Sequence, residues 1–149
     1  MSTSTICTSL FLVGAFAMGC GGDDDQGAPL TCVEDLPADC SAGFNPTWPN
    51  VYANVVRQSC GGTGTGASCH AAEGKQGGLE LSSSAIALSS LLGELDGRAR
   101  VVPGDPECSI LMERLESDDP VLLMPYKGTK LQDPTRCAVQ KWIEMGAAP

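Results

Sequence analysis

Cys60, Cys69 and His70 are the residues of this chain whose types and spacing point most directly to chemistry. The stretch runs Cys60-Gly-Gly-Thr-Gly-Thr-Gly-Ala-Ser-Cys69-His70, and His70 is the only histidine in 149 residues. A cysteine followed directly by histidine, with a second cysteine upstream, is the core of the C-x-x-C-H site that attaches c-type haem. In that site both thiols bond the porphyrin and the imidazole ligates the iron. Here eight residues, rather than two, separate the cysteines. A gap this flexible can loop outward, because closure entropy grows slowly with length. The same spacing suits a Cys60–Cys69 disulfide with His70 merely exposed. Zinc held by Cys60, Cys69 and His70 is a third and weaker reading, opposed by the adjacency of Cys69 to His70 and by an oxidising compartment.

An iron bound through His70 takes a second axial ligand, and no other histidine exists to supply it. Met112 and Met145 fall within or at the end of expected helices and read as core filler. Met124 lies in an irregular stretch, Val121-Leu-Leu-Met124-Pro125-Tyr126. The following proline stiffens the loop, which suits a thioether held at fixed distance from a metal. Plain packing is the alternative for Met124. His/Met ligation raises the reduction potential.

Both haem attachment and disulfides depend on export. The first nineteen residues carry no charged side chain, and Leu10 to Met18 form a nine-residue apolar run. That is the length of a signal-peptide core and too short to span a bilayer. Ala17-Met18-Gly19-Cys20 resembles a lipobox, in which Cys20 becomes the lipidated N-terminus; simple secretion with cleavage nearby is the alternative. Acyl chains there would anchor the protein to a bacterial membrane, on the periplasmic or cell-surface side. The acidic, glycine-rich stretch from Gly21 to Pro29 reads as a flexible spacer. The expected organisation is a signal peptide at 1–19, an anchored linker with the Cys32/Cys40 segment at 20–44, and one domain at 45–147. The formal net charge of −9 argues against nucleic acid as a partner and is compatible with docking onto a basic one.

With Cys7 removed and Cys20 lipidated, Cys32, Cys40, Cys60, Cys69, Cys108 and Cys137 remain. Six cysteines allow fifteen connectivities. Sequence position suggests local pairs for the first four and leaves Cys108 with Cys137. If haem takes Cys60 and Cys69, the other four still pair evenly, so parity does not discriminate.

Helical periodicity dominates the rest. Asn45-Pro46-Thr47-Trp48-Pro49 reads as a helix entry, and Val51, Tyr52, Val55, Val56 and Ser59 then follow a three-and-four spacing, delivering Cys60 at the helix end with Gly61-Gly62 as the stop. Ser82-Ser83-Ser84 caps a second, with Ile86, Leu88, Leu91, Leu92 and Leu95 as its apolar face. Asp105-Pro106 opens a third through Ile110, Leu111, Arg114 and Leu115. Asp133-Pro134 opens a last one through Ala138, Val139, Trp142 and Ile143, ending at Gly146. No alternating strand of useful length is present. The expected fold is all-α: a small, disulfide-stapled domain of about four short helices. Its long Gly/Pro-rich connections include Gly61–Gly78 and Asp118–Gln132. Such a loop-rich domain needs staples or a prosthetic group. Glu113 and Asp118-Asp119 read as solvated faces, and no nucleophile–base set or carboxylate pair suggests an enzyme.

The ordered set Ser59-Cys60, Cys69-His70, Gly77-Gly78-Leu79-Glu80-Leu81, Val102-Pro-Gly-Asp105-Pro-Glu-Cys-Ser109, Met124-Pro125 and Trp142-Ile143-Glu-Met-Gly146-Ala147 resembles the small planctomycete-type cytochrome c domains of exported bacterial proteins. It covers roughly residues 50 to 147. The resemblance implies a class I cytochrome c-like fold, covalent haem c and single-electron transfer with redox partner proteins. By position it makes Cys60 and Cys69 the thioether residues, His70 the proximal ligand and Met124 the distal ligand. The eight-residue gap departs from the family pattern at the attachment site itself. The alternative is a haem-free relative, disulfide-stapled, with a binding or structural role.

Overall fold

The computed structural model describes residues 32–61 and 69–149. The expected signal peptide, the Cys20 lipidation site, the spacer to Pro29 and most of the Cys60–Cys69 gap lie outside the described residues.

Trp48 and Pro49 open a short helix, α1 (Trp48–Val51), with proline in the first turn, where its missing N–H costs nothing. The chain then widens into a π-helix over Tyr52–Cys60. Its last turn is closed by the Gly61 amide on the Val56 carbonyl, 2.8 Å away. Val51, Val55 and Val56 face inward, and Cys60 arrives at the end of the helix, as the periodicity predicts.

Helix α2 spans Ser84–Leu91, and the Ser83 hydroxyl accepts the Ile86 amide as its cap. Its buried face differs from the expected one. Ala87 and Leu91 point inward, whereas Ile86 and Leu92 are 42% and 44% exposed. Only one turn of the five-residue apolar set meets the core, because the helix is too short to present the rest.

Leu95 leaves the helix altogether. It pairs with Arg98 in a two-stranded antiparallel hairpin, β1 (Glu94–Leu95) and β2 (Arg98–Ala99). Asp96 and Gly97 both have positive φ, 51° and 78°, as a tight hairpin turn of the primed kind demands. The fold is therefore mostly helical with a small sheet, rather than all-α.

Helix α3 covers Ile110–Glu116, starting later than Asp105-Pro106 suggests. The Asp105 carboxylate instead accepts the Cys108 amide at 3.1 Å, closing a turn. The Ser109 hydroxyl donates to the Asp105 carbonyl and accepts the Val102 amide. Glu113 is not a solvated residue: it is buried and receives both terminal nitrogens of Arg98, joining α3 to the hairpin. Helix α4 runs Asp133–Glu144 with Pro134 in its first turn. Gly146, at φ 94°, stops it, and the amides of Gly146 and Ala147 return to the carbonyls of Ile143 and Trp142.

The core gathers around two tryptophans. Trp48 of α1 and Trp142 of α4 lie 5.2 Å apart between ring centroids, and Val51, Val55, Leu81, Leu91, Met112, Leu115 and Ile143 close around them. Both indole nitrogens are bonded, to the Ser84 hydroxyl and the Ala148 carbonyl. Met112 is fully buried, whereas Met145, expected as filler, is 61% exposed because it falls in the last turn on the outer side. Among the described residues no helix is long and apolar enough to cross a membrane.

Among the described residues two disulfides join distant parts of the chain: Cys32 to Cys108 and Cys40 to Cys137, 76 and 97 residues apart. This corrects the expectation of a Cys32–Cys40 pair and a Cys108–Cys137 pair. Residues 32–44, grouped with the linker on sequence, are packed against the helices. Val33 bonds the Glu107 carbonyl, Gly43 bonds the Pro134 carbonyl, and Gln140 reaches the Pro37 carbonyl. That packing carries each cysteine to a partner far along the chain. Each loop closure removes about 4–5 kcal/mol of unfolded-state freedom in the chain-entropy account.

Candidate functional site

The site is built from the end of the π-helix, the turn that returns to it, and the loop between α3 and α4. Cys60 is a free thiol, partly buried and packed against the core. Burial pushes it up to about 12, so it is held protonated. Cys69 is disulfide-bonded, and its partner is outside the described residues, since Cys60 is free and the other described cysteines pair with one another. A Cys60–Cys69 disulfide is thereby excluded in this structure.

His70 is positioned by the glycine turn that follows it. The Gln76 amide donates to the Cys69 carbonyl at 2.9 Å and the Leu81 amide to the His70 carbonyl at 2.7 Å. Between them Lys75, Gly77 and Gly78 take positive φ, so the backbone doubles back through a single 3-10 turn, Gln76–Gly78. Two of these three are glycines, for which that region carries no side-chain clash. Leu81 ends the turn fully buried and also lies against Gly61, directly after Cys60. One leucine thus fixes both ends of the Cys60–His70 segment.

The His70 ring is half-buried, and its Nδ1 is buried with no hydrogen-bond partner. Burial holds the ring's protonation below the usual histidine range. The carbonyls of Leu79 and Gln76 oppose this, and the charges of Arg100 and Arg114 add to it. A neutral imidazole with a lone pair is the form that binds a metal.

Two arginines missed on sequence frame the site. The Arg100 guanidinium spans the Gly77 carbonyl at 2.7 Å and the Ser90 carbonyl at 3.2 Å, tying the His70 turn to α2. Arg114 belongs to the Met124 side: its carbonyl accepts the Met124 amide at 2.9 Å. Met124 is half-buried, and its bond to Pro125 is cis. A signal for Arg114 was available in its place among Ile110, Leu111 and Leu115, since a cation amid apolar helix positions needs nearby carbonyls. Among the described residues no group of three or more His, Cys, Asp or Glu side chains is arranged to hold a metal ion, so the zinc reading finds no ligand set there.

Met124 and His70 therefore stand in two separate segments, the first held by Arg114 of α3 and the second by its own glycine turn. The ordered motifs carrying these segments, from Cys69 to Met124-Pro125, are the ones a family comparison can test.

Residues 67–128 match the planctomycete cytochrome C family. The matched stretch contains Cys69, His70, the glycine turn, both arginines and Met124, and begins after Cys60. The planctomycete cytochrome C resemblance read from the motifs is thus met over the part that holds both axial-ligand candidates. The match stops short of α4, whose Trp-Ile ending also contributed to that resemblance. No curated protein and no solved structure matches the chain.

Proposed function

We propose that this is an exported, lipid-anchored haem protein that passes single electrons between partner proteins and carries out no reaction of its own. The observation that carries the reading is the buried, unpartnered Nδ1 of His70 within the family-matched stretch. A buried polar atom without a partner is rare in a finished fold and costs free energy there. The residues present fit haem c in kind: a neutral imidazole at His70, a thioether at Met124 and a free thiol at Cys60. Haem supplies a one-electron couple at its iron when bound.

Attachment through Cys69 requires its disulfide to be reduced first. Attachment through Cys60 requires the thiol to be reachable before the core closes over it. The acidic balance of the chain, −9, suits docking onto a basic redox partner.

A second reading is favoured by one observation, the disulfide state of Cys69. With that thiol oxidised, the domain stands as a haem-free, disulfide-stapled relative with a binding or structural role. The two readings separate in one experiment. The full chain is produced in a bacterial host with haem-attachment machinery, and its mass and visible spectrum are recorded. A one-haem mass increase with a Soret band supports the electron carrier; haem-free protein with Cys69 still oxidised overturns it.

A further inference from the structure

Arg114 lies on α3 (Ile110–Glu116), where it reaches the Met124 loop at two points. Its backbone carbonyl accepts the Met124 amide at 2.9 Å. Its guanidinium Nη1 donates to the Leu122 carbonyl at 3.4 Å, a long bond but one between a charged donor and a residue only 8% exposed. The preceding part of the loop is closed on itself, with the amides of Leu122 and Leu123 both on the Asp119 carbonyl. The hydrogen bonds that fix Leu122 and Met124 run through Asp119's turn and through Arg114.

We propose that Arg114 is the positioning residue for Met124, clamping the loop at Leu122 and Met124. The proposal rests on the haem reading above for its redox consequence, but the clamp itself is a property of the chain alone. A thioether held on the iron keeps the potential high, so a loop that lets it go lowers the potential. Held carbonyl and amide groups keep the thioether in one place without the loop having to be ordered on ligation.

The test uses the full chain matured with haem, comparing the parent with Arg114→Gln and Arg114→Lys. All three are expected to keep the Soret band and the one-haem mass, since neither change touches His70 or the cysteines. Arg114→Gln is expected to lose the charge-transfer absorption of the iron–thioether bond and to shift the potential downward. Amide exchange over residues 119–124 should speed up by about tenfold or more, the loss of one charge-assisted hydrogen bond. Arg114→Lys keeps the charge and one donor, and should return the potential towards the parent value. Unchanged absorption and unchanged loop exchange in Arg114→Gln would overturn the proposal. If Arg114→Gln does not fold, the comparison is made with Arg114→Met, which keeps the apolar stem and has no donor, and for which a loop exchanging as in the parent and an unaltered thioether absorption together overturn the proposal. If even the parent takes no haem, the haem reading has failed, and exchange in the haem-free chains alone decides the clamp: faster in the variant supports it, equal rates overturn it.

Discussion

A Cβ placed on Gly61 would lie 2.5 Å from the Cβ of Leu81, closer than carbon atoms approach in folded proteins. Gly61 has φ −152°, open to any residue, so the demand for glycine there is steric and comes from Leu81 alone. The contact lets the end of the Cys60 helix touch Leu81, whose amide also bonds the His70 carbonyl.

Gly61→Ala should therefore destabilise the domain by about 1–3 kcal/mol, the usual cost of forcing extra volume into a packed site. Chemical denaturation reads this as a lower midpoint. Because Leu81 carries the His70 carbonyl bond, haem loading should fall with it. An unchanged midpoint would mean that the two segments are not held together at Leu81.

Cys60 gives a pH prediction. Its folded value is raised from 9.0 to about 12 by burial. The unfolded chain releases the proton first, so the stability contributed by the neutral thiol is complete below pH 9 and is lost as pH rises towards 12. Stability measured by denaturation should decline over that window in the haem-free protein, and Cys60→Ala should flatten the decline. Alkylation of Cys60 at pH 8 should be about a thousandfold slower in the folded than in the unfolded chain, in line with its smaller thiolate fraction. Equal rates in the two states would contradict the burial argument.

The disulfide connectivity is checked by peptide mapping without reduction. Fragments holding Cys32 should be linked to Cys108, and those holding Cys40 to Cys137. Cys108→Ser or Cys137→Ser should each lower stability by about 2–5 kcal/mol. A Cys32–Cys40 fragment would refute the packing of residues 32–44 onto the helices.

Glu113→Gln removes the charge that Arg98 meets at the hairpin. The amide can keep one of the two hydrogen bonds but leaves the second guanidinium nitrogen unmatched, so a loss of about 1–3 kcal/mol is expected. Thermal unfolding of the variant tests this. No loss would show that the pair is replaceable by water, since Arg98 is partly exposed.

Where local chemistry decides structure, the chain was readable in advance. Proline in the first turn and glycine past the last marked α4, and valine spacing marked the helix that ends at Cys60. Where a few residues do the work, little was visible. Two-residue strands carry no alternation, and the Asp96-Gly97 turn pair went unread in the sequence. Asp105-Pro106 resembled a helix cap because an aspartate closing a turn and one capping a helix use the same carboxylate-to-amide bond. The disulfides were misjudged because nearness in sequence was the only guide, whereas the docking of Leu36 and Phe44 on the core sets the pairing. At the site, His70 and Met124 stood out by type, but one of the two bonds by which Arg114 holds the Met124 loop is made by its backbone carbonyl, which every residue possesses.

The long-range disulfides also decide how the domain bears tension. A pull on the chain at Cys32 passes through sulfur to Cys108, next to α3, and a pull reaching Cys40 passes to Cys137 in α4. A force entering at Cys32 or Cys40 is handed through sulfur to the C-terminal helices, so the helix that ends at Cys60 lies off that load path.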